Sequence, residues 1–214
     1  MTTGTRPRVA VLDYDAGNVR SAQRGLLAAG ADAIVTGDAD EAADADALVV
    51  PGVGAFGSCL ANLRAAGLVE LLDRWIAESR PMLGICVGMQ LLYGASDEDA
   101  ATAGLGLLPG RVERFPAGAT VPHMGWNTVE HAPRASGDPL MSGVDGERLY
   151  FVHSFFAVPA DSAHVVATTR YAGADVPCVV REGSVVGTQF HPEKSGPVGQ
   201  RLLSNWLAYE VSIT

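Results

Sequence analysis

Apolar residues follow two different spacings along the first half of the chain, and these predict strands that alternate with helices. Residues 9–14 form a continuous apolar run, which is typical of a strand buried on both faces. Residues 18–29 carry apolar side chains at helical spacing and end before Gly30, a common C-terminal cap. Further strands are predicted at 31–37, 47–54 and 81–86, and further helices at 58–79, interrupted near Gly67, and in the run 87–95. This order predicts a mainly parallel sheet with helices on both faces.

The second half of the chain consists of apolar runs separated by Gly, Pro, Asp and Ser. Strand-like runs lie at 111–115, 127–132, 148–158, 164–171 and 177–190, the last with a hairpin turn at 181–184. A final helix is predicted at 197–210, because Pro197 suits its first turn. No internal repeat or linker interrupts the pattern. We therefore predict a single α/β domain over residues 1–214, with an antiparallel portion added to the parallel sheet.

Composition and charge exclude several classes of protein. The 214 residues are 48% hydrophobic, which suits a globular protein with a sizeable core. The net charge of −9 argues against nucleic-acid binding, since a generic phosphate-backbone binder carries a basic patch. No apolar run is long enough to cross a membrane. The N-terminal residues 1–15 enter a strand-like run without an apolar signal segment, so we expect a cytoplasmic protein.

The three cysteines have spacings that match neither a zinc site nor a redox pair, so we expect no metal and no cofactor. Cys59 and Cys178 lie in apolar surroundings and are interpreted as small buried residues. Cys86 differs, because Gly84-Ile85-Cys86-Val87-Gly88 matches the nucleophile elbow with cysteine in place of serine. An elbow needs a strand that turns sharply into a helix, and both are predicted here. A buried cysteine in an ordinary strand-to-helix turn is the alternative interpretation.

A thiolate nucleophile needs a base, and the base needs a group that orients it. His191 follows the valine-rich strand, and Glu193 stands two residues later, beyond a proline that restricts the backbone. His131 and His164 are interpreted as solvated or packing residues. The anionic intermediate of acyl transfer also needs N–H donors. We expect these at Gly52 and Val53, in the segment PGVG, and at Val87, although PGVG could also be an ordinary turn.

These segments resemble the class I glutamine amidotransferases. PGVG, LGICVGMQLL and FHPEKS occur in the family's order, and the match extends over nearly the whole chain. DYDAGNVRS, PHMGWN and YFVHSF are similar to segments of the glutaminase subunits of imidazole glycerol phosphate synthase. The resemblance implies that Cys86 attacks the side-chain amide of L-glutamine, that His191 transfers the proton and that Glu193 orients His191. It also implies that glutamine is bound by Gln90 and by the backbone of His153, Ser154 and Phe155.

The resemblance further implies a partner, a separate (β/α)8-barrel cyclase subunit that receives the ammonia. The segments that face the cyclase in the family correspond here to Asn18, Pro122, His123, Met124, Trp126 and Lys194. Lys194 is the only lysine among 15 basic residues, so a role as an interface ion-pair donor is plausible. The chain departs from the family at Phe155, where the family often has Tyr, and at Asp15, where a Gly is common.

Three alternatives remain at this stage. The chain could be a glutaminase of the same fold that feeds a different synthase, although PHMGWN and the lack of an attached synthase domain argue against this. It could be a cysteine hydrolase or peptidase that acts without a partner. It could also be a binding protein in which the three motifs coincide without forming a catalytic site.

Overall fold

The computed structural model describes residues 6–211. Two terminal segments, residues 1–5 and 212–214, lie outside the described residues. The first is part of the segment from which a cytoplasmic location was predicted, and the second is the end of the predicted domain. The strands within the described range are β1 Arg8–Leu12, β2 Asp32–Thr36, β3 Ala47–Gly52, β4 Met82–Cys86, β5 Gly110–Arg114, β6 His123–His131, β7 Arg148–His153, β8 Phe155–Pro159, β9 Val165–Tyr171, β10 Ala174–Glu182 and β11 Val185–Thr188. The α-helices are α1 Val19–Ala29, α2 Ala39–Ala43, α3 Phe56–Ala65, α4 Val69–Ala77, α5 Val87–Gln90 and α6 Gly196–Trp206.

Nine strands form one mixed sheet in the order β2-β1-β3-β4-β11-β10-β9-β6-β7, within residues 6–211. The strands from β2 to β11 pair in parallel, and those from β11 to β7 pair antiparallel. We call these the parallel half and the antiparallel half. The other two strands, β5 and β8, form a separate antiparallel pair. The predicted fold class, a mainly parallel sheet with helices plus an antiparallel portion, is confirmed.

The central strands of the parallel half are buried on both faces, as their continuous apolar runs predict, whereas the edge strand β2 is partly exposed. All residues of β3, β4 and β11 are buried. Helix α1 ends at Gly30, which has φ 106° and serves as the predicted left-handed cap. The carboxyl ends of β3 and β4 lie side by side, because Gly52 pairs with Cys86. The parallel half therefore brings the PGVG segment next to the cysteine.

The structure corrects several predicted elements. The helix after Cys86 ends at Gln90 instead of continuing through the run 87–95, because the backbone of Leu91 and Leu92 pairs with Leu105 and Leu108. The run 148–158 breaks at position 154 into β7 and β8, since these strands pair with β6 and β5 respectively. The final helix ends at Trp206 and continues as a π-helical turn, whereas 197–210 was predicted.

One short helix was not predicted. In α2, Asp38 caps the first turn by accepting hydrogen bonds from the N–H groups of Asp40 and Glu41. The predicted hairpin between β10 and β11 is confirmed, and its turn contains Gly183 with φ 55°. No helix of residues 6–211 is long and apolar enough to cross a membrane.

Candidate active site

Cys86 lies where β4 turns into α5, and its backbone has φ 56° and ψ −110°. A positive φ is unusual for a residue with a side chain, and such strain occurs most often at functional sites. Two glycines make the turn possible. A Cβ at Gly84 would lie 2.7 Å from the Gly88 carbonyl oxygen, and a Cβ at Gly88 would overlap the Val50 carbonyl oxygen. The glycine spacing therefore allows α5 to pack directly against the backbones of β3 and β4.

His191 and Glu193 follow β11, where Pro192–Lys194 forms a single turn of 3-10 helix. His191 Nδ1 lies 2.8 Å from Glu193 Oε1, and both side chains are almost fully buried. Because a carboxylate only accepts, Nδ1 carries a proton. The other nitrogen, Nε2, is buried and has no hydrogen-bond partner among the described residues. Burial lowers the pKa of His191, but the neighbouring Cys86 and Glu193 raise it by more, to about 9.

Asn18, which was predicted only as an interface residue, also belongs to this group. Its Nδ2 donates to Glu193 Oε1, the same oxygen that faces His191. Asn18 stands before α1 with φ 63°, in the loop that follows β1. Glu193 Oε2 is buried without a partner among the described residues. The carboxylate is thus oriented from both sides through one of its oxygens.

A cavity of about 300 Å³ brings most of the predicted site residues together. Its lining includes the predicted residues Val53, Cys86, Val87, Gln90, Pro122, His153, Ser154, Phe155, His191 and Lys194. Gly52 and Glu193 lie directly behind this lining, at Cys86 and His191 respectively. Glu98 also lines the cavity and was not predicted. One of its oxygens accepts a hydrogen bond of 2.8 Å from the Phe56 N–H.

Two glutamines connect the cysteine with the opposite wall of the cavity. Gln90 Nε2 donates to the Phe155 carbonyl at 3.0 Å and to Gln189 Oε1 at 3.0 Å. Gln189 Nε2 then donates to Cys86 Sγ at 3.7 Å. Gln189 was not predicted, although it stands two residues before His191 on the strand-end segment that was singled out. These contacts join residues about 65 to 100 positions apart.

His123 and His153 extend this network into the antiparallel half. Asn127 Nδ2 donates to His123 Nε2, so His123 Nδ1 carries the proton and donates to His153 Nε2 at 2.9 Å. By the same reasoning His153 Nδ1 donates to the Phe155 carbonyl at 2.8 Å. The directions of all these bonds are consistent only if both imidazoles are neutral. Burial lowers the pKa of His123 to about 4 and is also the main cause that lowers the pKa of His153 to about 3.

The family comparison adds to this geometry. The profile of the family "Glutamine amidotransferase class-I" matches residues 10–209, which is nearly the whole chain. The chain belongs to the class I glutamine amidotransferases. An imidazole glycerol phosphate synthase subunit HisH of Halobacterium salinarum is 47% identical, with 97% of each chain covered. The corresponding protein of Geobacillus kaustophilus is 44% identical and covers 93% of this chain and 95% of its own.

Solved structures of amidotransferases share the fold. A crystal structure of a glutamine amidotransferase superposes with a TM-score of 0.74 at 23% identity, covering 94% of this chain and 97% of its own. The structure of PurLQS from Thermotoga maritima gives a TM-score of 0.75 at 22% identity, covering 96% of this chain and 99% of that chain. At this level of identity, both comparisons describe the fold alone.

The predicted interface residues of this amidotransferase divide into exposed and buried ones. Met124 and Trp126 point outward from β6 and are 63% and 47% exposed, and Lys194 is exposed at the edge of the cavity. Lys194 forms no ion pair within residues 6–211. His123 differs from the expectation, because strand alternation turns its ring inward, between the rings of Phe151 and Tyr171.

The described residues of this amidotransferase contain no group of three His, Cys, Asp or Glu side chains placed to hold a metal ion. A cysteine on a strained turn, a histidine with a raised pKa and a buried carboxylate together suit nucleophilic acyl transfer.

Proposed function

We propose that this chain is the glutaminase subunit of imidazole glycerol phosphate synthase, hydrolysing L-glutamine and supplying ammonia to a cyclase subunit in histidine biosynthesis. The observation that carries the assignment is the similarity to HisH proteins at 44–47% identity over nearly the full chain. The site geometry supports it independently, because Cys86 and His191 line one cavity and Glu193 contacts His191 from behind that lining. We further propose that residues 1–214 form one glutaminase domain that acts in the cytoplasm.

In the proposed reaction, the Cys86 thiolate attacks the side-chain carbonyl carbon of glutamine. A C–S bond forms, and the carbonyl electron pair moves onto the oxygen. When the intermediate collapses, the C–N bond breaks and His191 Nε2 donates its proton to the departing ammonia. The raised pKa of His191 supports this step, because the imidazolium is available at neutral pH. The neutral His191 then removes a proton from water, which attacks the thioester and releases glutamate and the thiol.

The oxyanion is assigned to backbone donors at the carboxyl end of β3 and at the start of α5. We propose the Val87 N–H and the Gly52–Val53 peptide for this role, with a rotation of that peptide where its N–H must face the oxyanion. The close approach of β3 and α5 supports the assignment, since a Cβ on Gly52 would lie 2.6 Å from the Gly88 nitrogen. Once they face the oxyanion, backbone donors of this kind stabilise the developing charge without further reorganisation.

Glutamine binding is assigned to the wall formed by Gln90 and His153–Phe155. Gln90 and the Phe155 carbonyl are hydrogen-bonded to each other, which holds that wall in place. Glu98 is the acidic residue of the cavity lining, and its carboxylate suits the α-amino group of an amino-acid substrate. Because Phe155 takes part through its backbone, the absence of the tyrosine hydroxyl leaves these contacts intact.

The cyclase interface is assigned to the exposed residues near the cavity. Met124 and Trp126 offer the large apolar and aromatic side chains that are enriched at protein interfaces. Lys194 and Pro122 line the cavity and are exposed, and the Lys194 ammonium has no ion pair within residues 6–211. We propose that the partner is a (β/α)8 barrel that accepts the ammonia.

Ammonia release from glutamine tests the proposal, measured for the purified chain with and without the cyclase subunit and its nucleotide ligand. We expect low release by the chain alone and strong stimulation by the liganded cyclase. Cys86→Ala should abolish the stimulated release. The matched control is Cys178→Ala, which removes a thiol that is equally buried but lies in β10.

Two results would contradict the proposal. Hydrolysis that is high without the cyclase and does not respond to it would indicate a different synthase or a free-standing hydrolase. Absence of hydrolysis under every condition, in a folded protein, would remove the enzyme assignment and leave the fold.

A further inference from the structure

Strand β3 extends beyond the strand that pairs with its outer edge. Strand β1 pairs with β3 from Ala47 to Val49 and then ends. The carbonyl groups of Pro51 and Val53 lie beyond this pairing. The Pro51 carbonyl is buried and needs a donor, since an unpaired buried carbonyl costs free energy comparable to a lost hydrogen bond, whereas Val53 is 36% exposed. Both carbonyls accept hydrogen bonds from side chains of other elements.

The first donor is Tyr14, in the loop after β1. Its hydroxyl donates to the Pro51 carbonyl in a short hydrogen bond. The side chain is almost completely buried. Burial, more than the nearby Cys59 and Cys86, raises the pKa of the Tyr14 phenol, so the group keeps its proton and remains a donor. Tyr14 thus supplies a hydrogen-bond donor to β3 beyond the last residue of β3 that pairs with β1.

The second donor is Cys59, in α3. Its Sγ lies 3.4 Å from the Val53 carbonyl oxygen, and the residue is 2% exposed. Burial raises the pKa of the Cys59 thiol to about 11, so the sulfur carries the proton that it donates. The sequence interpreted Cys59 only as a small buried residue. It is buried as predicted, but it also contacts the segment next to the catalytic cysteine.

The two hydrogen bonds flank a single peptide. Tyr14 holds the peptide that joins Pro51 to Gly52, and Cys59 holds the peptide that joins Val53 to Gly54. The peptide between them, Gly52–Val53, is the one assigned to the oxyanion. No side chain of residues 6–211 forms a hydrogen bond to either of its groups, and Gly52 gives it the widest range of backbone angles.

We propose that Tyr14 and Cys59 are positioning residues that hold both flanks of the Gly52–Val53 peptide, so that any rotation is confined to this peptide. The inference rests on the proposed glutaminase function. Without the flanking bonds, the whole segment shifts, and the N–H donor spends less time in the position that the oxyanion requires. A shift of this segment weakens stabilisation of the transition state more than it weakens substrate binding, because the residues that bind glutamine belong to other elements.

The first test removes the phenol hydroxyl. Tyr14→Phe should lower kcat for cyclase-stimulated ammonia release about tenfold, less than the roughly 10²-fold that loss of an oxyanion donor itself costs. KM for glutamine should change less than about twofold, because ground-state binding is retained. Tyr209→Phe is the matched control, since it removes a hydroxyl from an exposed tyrosine in the C-terminal turn.

The second test concerns the thiol. Cys59→Ala should lower kcat by about threefold, since S–H is a weak donor, and Cys59→Ser should restore it, because a hydroxyl can donate to the same carbonyl. Cys178→Ala shows how far kcat falls when removal of a buried thiol only lowers the stability of the protein. Rescue by serine separates positioning from packing, as both substitutions reduce side-chain volume.

The outcomes distinguish failure of the positioning role from failure of the proposed glutaminase function. Normal kcat in Tyr14→Phe and Cys59→Ala, with active wild-type protein, would overturn the positioning role and leave the glutaminase assignment intact. An equal loss in Cys59→Ala and Cys178→Ala, with no rescue by serine, would also overturn it. Inactive wild-type protein would instead refute the proposed function.

Discussion

The two halves of the sheet build the same cavity in different ways. The parallel half supplies Cys86 through backbone geometry, with a strained turn and glycines that allow main chains to touch. The antiparallel half supplies the opposite wall through side-chain hydrogen bonds, such as those of His123 and His153. The first arrangement depends on a turn formed by residues 84–88 and on its close approach to the backbone of β3. The second joins residues that are far apart along the chain.

This difference determines what each half tolerates. A close contact between main chains is disrupted when a Cβ atom is added to one of its glycines. A network of hydrogen-bonded side chains is disrupted when one of its histidines gains or loses a proton. We therefore expect the parallel half to be sensitive to side-chain size and the antiparallel half to pH. The residues His191 and Glu193 follow β11, where the two halves meet, and they combine a fixed backbone with a titrating ring.

The largest effect is expected at that junction, from Glu193→Gln. An amide cannot stabilise the imidazolium of His191 as a carboxylate does, so kcat should fall on the order of 10³-fold. The pKa of His191 should also fall from about 9 towards its ordinary value. The measurement is the pH profile of stimulated ammonia release, in which the alkaline limb should move to lower pH.

Glu130→Gln is the control for this change, since Glu130 is exposed on β6. It should leave both kcat and the pH profile unaltered. A Glu193→Gln variant that loses activity but keeps the alkaline limb of the wild type would show that Glu193 does not set the pKa of His191.

The next effect tests the sensitivity of the parallel half to size. Gly88→Ala places a Cβ onto the Val50 carbonyl oxygen, and overpacking of this kind costs about 3 kcal/mol in the free energy of unfolding. Gly94→Ala is the matched control, because its Cβ would meet nothing closer than the Gly106 Cα at 3.7 Å. Its cost should stay below about 1 kcal/mol. Urea unfolding compares the two variants, and equal losses would contradict the argument from close backbone approach.

The third effect tests the sensitivity of the antiparallel half to pH. The folded-state pKa values of His123 and His153 lie below the ordinary value, so the unfolded chain binds protons first as pH falls. The contribution of the two neutral imidazoles to stability is fully present above pH 6.5. It is lost as pH falls towards about 4 for His123 and about 3 for His153. Each histidine lowers the free energy of unfolding by up to about 1.4 kcal/mol per pH unit in that window.

Substitution of one histidine separates this contribution from general acid unfolding. His123→Asn should reduce the slope of unfolding free energy against pH between 6 and about 4.5 by up to about 1.4 kcal/mol per unit. His153→Asn should act in the same direction. Slopes equal to that of the wild type would mean that the two imidazoles are not kept neutral in the folded protein.

The same contrast explains what the sequence could predict. Strands and helices of the parallel half follow from local apolar spacing, and Cys86 follows from a five-residue motif. The division of the run 148–158 at position 154 could not be predicted, because it depends on pairing with β5 and β6, which are remote in sequence. The early end of α5 has the same origin.

Residues of the site that were missed share this dependence on distant partners. Gln189 contacts Cys86 across 103 positions, and Cys59 acquires its role from the course of β3. Asn18 was predicted from the family resemblance as an interface residue, and its hydrogen bond to Glu193, 175 positions away, was not predicted. Only Gln189 had a local signal, its position beside the His-Pro-Glu segment.

The smallest effect concerns Asp15, where the family resemblance leads us to expect glycine. Asp15 has φ 60°, in the left-handed region that disfavours a side chain, and it is exposed. Asp15→Gly should therefore raise the free energy of unfolding by about 0.5 kcal/mol, once the greater freedom of glycine in the unfolded chain is subtracted. The same substitution at Asp44, an exposed residue with φ −78°, should lower it by about 0.5–1 kcal/mol. If the backbone angle determines the effect, urea unfolding should show changes of opposite sign in the free energy of unfolding of the two variants. A loss at both positions would mean that the Asp15 side chain stabilises the loop by more than its backbone strain costs.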